Sequence, residues 1–261
     1  MANDKSEEKA RDLVQSGSEI AGAAIGGAVG FLAAGPVGAA GAGALGVLIA
    51  KSLAQTADKV MSSREKARVG SVAAIAVARI AERVSNGDSP RSDFFTPGGG
   101  LQSDGAQLLE GVLLKARDEY EERKLHHLGR FYGNLAFSNI SASVASLLIK
   151  TFERLTYRQL LLLALICRSG TINVKNLRCQ THVDPELEAL KREEMELHGS
   201  DFGSTGLVHS SGPFDDRLSS LGIVLAELTE IGDISEDAMS EITTLIACCP
   251  ESSGIRSSYE M

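Results

Sequence analysis

At 261 residues, 43% of them hydrophobic, the chain is long enough for one large domain or two small ones and apolar enough to build a core, which excludes a disordered chain. The aromatic share is 5% with no Trp while Gly reaches 27, so the apolar content is carried by Ala, Leu, Ile and Val, and small side chains favour close backbone contact. The net charge of −8 is segregated: residues 184–261 hold 4 Lys/Arg against 17 Asp/Glu, and residues 1–183 hold 22 against 17, which argues against nucleic acid as a partner of the C-terminal part because phosphate binding needs a cationic face.

Residues 1–19 mix both signs of charge and lack the short basic start of a secretory signal. The expectation is a cytoplasm-made protein, with Cys167, Cys179, Cys248 and Cys249 as reduced thiols. Between Glu19 and Lys51, 31 consecutive residues carry no ionisable side chain, which passes the length of about 20 residues needed to span a bilayer. Nine of them are Gly and eleven Ala, so transfer into lipid gains less than for a Leu-rich segment, and insertion calls for helix partners.

Gly22, Gly26 and Gly30 fall at i, i+4 and i+8 and place three bare backbone patches on one helix face. Gly38, Ala42 and Gly46 repeat that spacing beyond Gly35-Pro36, where the proline removes a donor and clashes with the preceding turn. The expected form is a kinked span or a tight helical hairpin. Each arm of a hairpin would reach about 21 to 24 Å at helical rise, short of a hydrocarbon core of about 30 Å, so a hairpin would be shallow and a tilted, kinked helix would span. Over residues 19–50 the segment resembles the glycine-zipper helices of bacterial membrane proteins, toxins and pore formers. The resemblance implies packing through Gly22, Gly26 and Gly30, with Lys51, Lys59, Arg64, Lys66 and Arg68 held at the lipid headgroups on the cytoplasmic side.

From Val47 the helical pattern runs on to Val84, with Val69, Val72, Ala73, Ala76, Val77 and Ile80 on one face and Arg68, Arg79 and Arg83 bracketing the apolar stretch, so this part is amphipathic rather than spanning. Residues 85–105, with two Pro and five Gly, read as an exposed linker. A helix of about 20 residues follows in AQLLEGVLLKARDEYEERKLHHLGRFYGNL, with Leu109, Val112, Leu113 and Ala116 on one face and the run DEYEERK as a solvated face. Ser141 is placed to cap SASVASLLIKTFERL, and Thr156 to cap TYRQLLLLALIC, whose LLLLAL run is apolar enough to be buried on most sides.

The last 90 residues change character: TINVKNL and GLVHSSG read as short strands, ELEALKREEMELHG as a charged helix, DRLSSLGIVLAELTEI as an amphipathic helix, and SEDAMSEITTLIACC as a final helix capped by Ser235 alone. This order over residues 156–231 resembles a winged-helix module. Its would-be recognition helix carries Glu186, Glu188, Glu193, Glu194 and Glu196 against Lys191 and Arg192, so the resemblance implies a protein-binding or architectural use.

Motifs for catalysis are few. Gly41-Ala-Gly-Ala-Leu-Gly46 matches the dinucleotide fingerprint G-x-G-x-x-G, but no strand precedes it and the chain lacks alternating βα units, so helix packing is the better reading and no cofactor is expected. Adjacent His126 and His127 point about 100° apart on a helix and do not share a metal, and Cys179 with His182, even with His198 or His209 nearby, is too sparse for a zinc site. Neither a nucleophile elbow nor a metalloprotease or P-loop motif occurs, so no enzyme is expected. An enzyme would need a pocket with converging groups, for instance around Tyr120, His126 and Arg130.

The pattern divides the chain into a glycine-rich, membrane-active helical region at 1–84, a linker at 85–105, a helical bundle at 106–170 and an acidic C-terminal module at 171–261. The expected fold is mainly α, a helical bundle with an N-terminal glycine-zipper helix or hairpin and a small winged-helix-like α+β module. The expected function is a membrane-associated effector, peripheral or integral to the inner membrane, whose glycine segment inserts and oligomerises to perturb or perforate a bilayer under control of the C-terminal part. Its partners would be the lipid bilayer, further copies of itself and a protein at the acidic module, but not nucleic acid. The alternative is a soluble oligomeric scaffold in which the glycine segment is a buried packing helix.

Overall fold

The computed structural model describes residues 61–95, 103–169, 200–210 and 216–247. These residues are mainly helical, with one small two-stranded sheet, and they fall into two compact units divided between Glu153 and Arg154. That division lies inside the stretch 106–170 read from the sequence as one bundle.

In the first unit, α1 (Ser63–Ser85) starts at Ser62, whose hydroxyl accepts from the Glu65 amide while the Glu65 carboxylate accepts from the Ser62 amide at 2.6 Å. This reciprocal cap begins a helix at residue 63, where the sequence pattern suggested one helix running on from Val47. The face expected to be apolar is buried: Val69, Val72, Ala73, Ala76, Val77 and Ile80 are joined by Ile75. They pack against α3 (Asp104–Asp118) and α4 (Glu122–Leu135), which bury Leu109, Val112, Leu113 and Ala116 from one and Leu125, Leu128, Phe131 and Leu135 from the other. A three-helix core forms because each helix repeats apolar residues three and four positions apart.

Between α1 and α3, in the stretch expected to be a linker, a short helix α2 (Ser92–Phe95) buries Phe94 over Gly105. The Tyr132 hydroxyl donates to the Gly105 carbonyl at 3.0 Å, and burial of that ring pushes its hydroxyl pKa well above the usual tyrosine range. Arg91 holds the start of α2 to the chain after α4, donating to the carbonyls of Ser138 and Ile140 at 2.9 and 2.7 Å. α5 (Ala142–Arg154) opens on Ser141, as its sequence suggested, and buries Ala145, Leu148, Ile149 and Phe152.

In the second unit, α6 (Tyr157–Ser169) is closed at its N-terminus by Thr156 and Gln159, each accepting from the other's amide at 2.9 and 3.2 Å. Leu160 through Ile166 are all buried, as the LLLLAL run implied. A helical turn at 200–204 leads to β1 (Val208–Ser210), which pairs antiparallel with β2 (Asp216–Leu218) in the register Val208 to Leu218. α7 (Ser220–Thr229), a 3-10 turn at Ile231–Asp233 and α8 (Glu236–Ala247) complete the unit around α6.

The expected helix DRLSSLGIVLAELTEI is therefore shorter than its apolar pattern: Asp216–Leu218 is strand, and the helix starts at Ser220 behind its cap Ser219. Ser219 ends the strand and caps the helix at once, its amide donating to Leu207 O at 2.8 Å and its hydroxyl accepting from Gly222 N at 3.0 Å. α8 is capped by Ser235, whose hydroxyl accepts from Ala238 N at 3.4 Å. The strand TINVKNL and the helix ELEALKREEMELHG lie outside the described residues.

Candidate functional site

In the first unit α1 and α4 meet over glycine. Gly129 and Gly133 stand one turn apart on α4, and a Cβ on Gly129 would sit 2.7 Å from Ile75 Cβ and 3.0 Å from Val72 O of α1. One on Gly133 would sit 2.7 Å from Arg79 Cβ and 3.0 Å from Ala76 O. The two helices thus approach at a small-residue seam, with Ala73 and Ala76 buried on the α1 side. Above the seam Arg79 Nε donates to Asn134 Oδ1 at 2.9 Å and Nη1 pairs with Glu82 at 2.8 Å, so the cation that crosses the contact is satisfied.

A second cluster closes the end of the unit where α1 begins. The run DEYEERK does not form a solvated helix face: α3 stops at Asp118, Glu119 is extended, and α4 starts at Glu122. No Gly or Pro causes this break. Tertiary polar contacts do: Lys124 is 2% exposed, its ammonium pairs with the Glu119 carboxylate at 2.5 Å, donates to Glu153 O at 3.3 Å and lies 5.5 Å from the Phe152 ring. Arg68 of α1 donates through Nη1 to the Glu119 carbonyl, one that a continuous helix would have committed to its own ladder. Lys115 and Glu153 add a half-exposed pair at 2.5 Å between α3 and α5. The Arg68 Nε is buried without a hydrogen-bond partner among the described residues, a cost the cluster carries.

Tyr120 stands at the tip of this turn and is 80% exposed. The acids beside it are matched by cations: Asp118 pairs with Arg117 at 2.7 Å, which holds its carboxyl below the usual carboxylate range, and Glu122 lies 3.8 Å from Arg64 of α1.

The residues expected to matter from sequence are distributed unevenly. Gly22, Gly26, Gly30, Gly38, Ala42, Gly46, Lys51 and Lys59 lie outside the described residues, as do Cys179, His182, His198, Cys248 and Cys249. Of the basic run, Arg64 and Lys66 are exposed, whereas Arg68 is drawn into the turn cluster. His126 and His127 stack edge to face at 5.5 Å, with His127 buried, and Tyr120 faces solvent rather than joining them. Among the described residues no three His, Cys, Asp or Glu side chains are grouped to hold a metal, and no helix is long and apolar enough to cross a membrane. The Gly129/Gly133 seam went unread in the sequence, although its G-x-x-x-G spacing is the same signal as in residues 22–30. No protein-family model, curated protein or solved structure matches the chain.

Proposed function

We propose that the protein is a membrane-associated effector in which residues 20–50 enter a bilayer and assemble through Gly22, Gly26 and Gly30, while the helical units that follow control that step. The observation that carries the reading is the run of 31 residues without an ionisable side chain between Glu19 and Lys51. The reciprocal cap at Ser62 accords with it, because α1 starts on its own signal downstream of the run. Lys66 is exposed at that start and available to headgroups; Arg64 lies beside Glu122 and Arg68 serves the turn cluster instead. The winged-helix-like reading of the second unit belongs to the same proposal: the hairpin β1–β2 followed by α7 suits a protein-binding module whose partner meets the acidic C-terminal part.

One observation favours the alternative of a soluble oligomeric scaffold. Gly129 and Gly133 use the same i, i+4 device to seat one helix on another without lipid, so glycine spacing by itself does not require a membrane. Flotation with lipid vesicles and carbonate extraction separate the two, using the full-length protein beside a variant lacking residues 20–50. The effector reading expects only the intact chain to float and resist extraction, and expects Gly26→Leu to abolish vesicle leakage with the helical units still folded. If both proteins stay in the soluble fraction, the scaffold reading holds and the effector reading is lost.

A further inference from the structure

We infer that the end of the first unit where α1 begins is the face that meets the membrane surface, with Tyr120 as its interfacial anchor; this rests on the reading of residues 20–50 given above. Tyr120 is 80% exposed and sits in the non-helical turn between α3 and α4. That turn is fixed to the head of α1 by Arg68, which donates to the Glu119 carbonyl, and by Arg64 beside Glu122 at 3.8 Å. The ring therefore stands at the same end of the unit as the point where the chain enters α1.

Chain length makes this placement consequential. Only residues 51–61 separate the charge-free run from the cap at Ser62, and eleven residues reach at most about 36 to 40 Å when fully extended. With residues 20–50 in a bilayer, the head of α1 stays within that distance of the surface. A tyrosine with an apolar ring and a polar tip is the side chain best suited to the headgroup region, where both parts are satisfied together.

Charge selects the kind of lipid. Lys124 is matched with Glu119, Arg117 with Asp118 and Arg64 with Glu122, so the turn presents little net field and an anionic surface offers it no particular advantage. The partner is thus the headgroup region of zwitterionic lipid.

The chain contains no Trp, so Tyr120→Trp turns the full-length protein into a single-tryptophan reporter at this position. The probe is phosphatidylcholine vesicles with brominated acyl chains. The expected result is that the variant floats as the parent does, its emission shifts to the blue, bromine quenches it severalfold, and Tyr120→Ser lowers partitioning severalfold. Flotation with unshifted, unquenched emission overturns the anchor while leaving the insertion of residues 20–50 standing; no flotation at all overturns both. A measurement on the unsubstituted chain guards against a misfolded variant: amide exchange at Glu119–Glu122 should slow on adding vesicles, and unchanged exchange in a floating chain overturns the anchor as well.

Discussion

At the scale of single residues, glycine decides whether α1 and α4 can meet. Adding a methyl at Gly129 forces Ile75 and the Val72 carbonyl to move, and neither is the loose end of a flexible side chain. Overpacking of this kind costs about 1–3 kcal/mol. Gly111, inside α3, has nothing within 4 Å of where its Cβ would be, so there the methyl only restores helix propensity, worth about 0.5–1 kcal/mol. Gly129→Ala should therefore lower the midpoint of thermal unfolding and Gly111→Ala raise it. Equal shifts in the two variants would remove the close seam from this account. Lys124 makes a comparable test of the turn. Lys124→Met leaves the Glu119 carboxylate, itself only 10% exposed, with the Glu121 amide but without its cation, and breaking a buried pair costs about 3–5 kcal/mol. Adding Glu119→Gln should recover part of that loss, so a double-mutant cycle in denaturant should show coupling of about 1–3 kcal/mol. Strictly additive variants would mean that the pair does not hold the turn.

At the scale of elements, the sequence was legible where a helix buries one face or all of itself. The spacing from Val69 to Ile80, the set Leu109, Val112, Leu113 and Ala116, and the LLLLAL run each name residues that are buried. Capping was legible too at Ser141, Thr156 and Ser235, because a side-chain oxygen before an apolar run has few other uses. Beyond the start of α1, two boundaries were not. The α3–α4 break is written in contacts with Arg68, Glu153 and Phe152, which are distant in sequence, so helical periodicity continues through a place where the backbone turns. β2 was hidden because Asp216–Leu218 carries only three residues of pattern, too few to outweigh the helix after it.

Ser219 is where that second boundary is enforced. Its hydroxyl donates to Gly206 O at 2.7 Å and accepts from Gly222 N, and Gly222 lies so close to the Leu207 carbonyl that a Cβ there has no room. Ser219→Ala removes the cap and the hydroxyl's bond to Gly206 O while keeping the backbone bond to Leu207 O, and should cost about 1–2 kcal/mol, read as faster amide exchange at the first turn of α7. Unchanged exchange there would assign the boundary to Gly222 instead. The cap of α1 adds a pH dependence of known sign. Hydrogen bonds from Ser62 hold the Glu65 carboxyl below its usual range. A lowered folded pKa contributes stability that is present above the unfolded value and lost as pH falls through the folded one. Protection at the first turn of α1, taken as the intrinsic exchange rate at each pH over the observed one, should fall on acidification through that interval, and Glu65→Gln should flatten the response.

At the scale of the whole molecule, two cores stand in one chain, one gathered on α1, α3 and α4 and the other on α6. Leu109 and Leu162 are each 0% exposed and stand for the two. Truncating a buried leucine to alanine removes its transfer energy and leaves a cavity, about 2–5 kcal/mol in all. A core that belongs to one unit loses this stability chiefly within that unit, since protection against exchange follows the smallest cooperative opening that exposes an amide. Leu109→Ala should therefore raise exchange across α1, α3 and α4 and leave α6–α8 near the parent level, and Leu162→Ala should do the reverse. Peptide-level exchange by mass spectrometry distinguishes these patterns. If either variant raised exchange equally in both sets of helices, the division at Glu153 would be a feature of shape without energetic meaning, and control of residues 20–50 would have to be sought in the chain as one cooperative body.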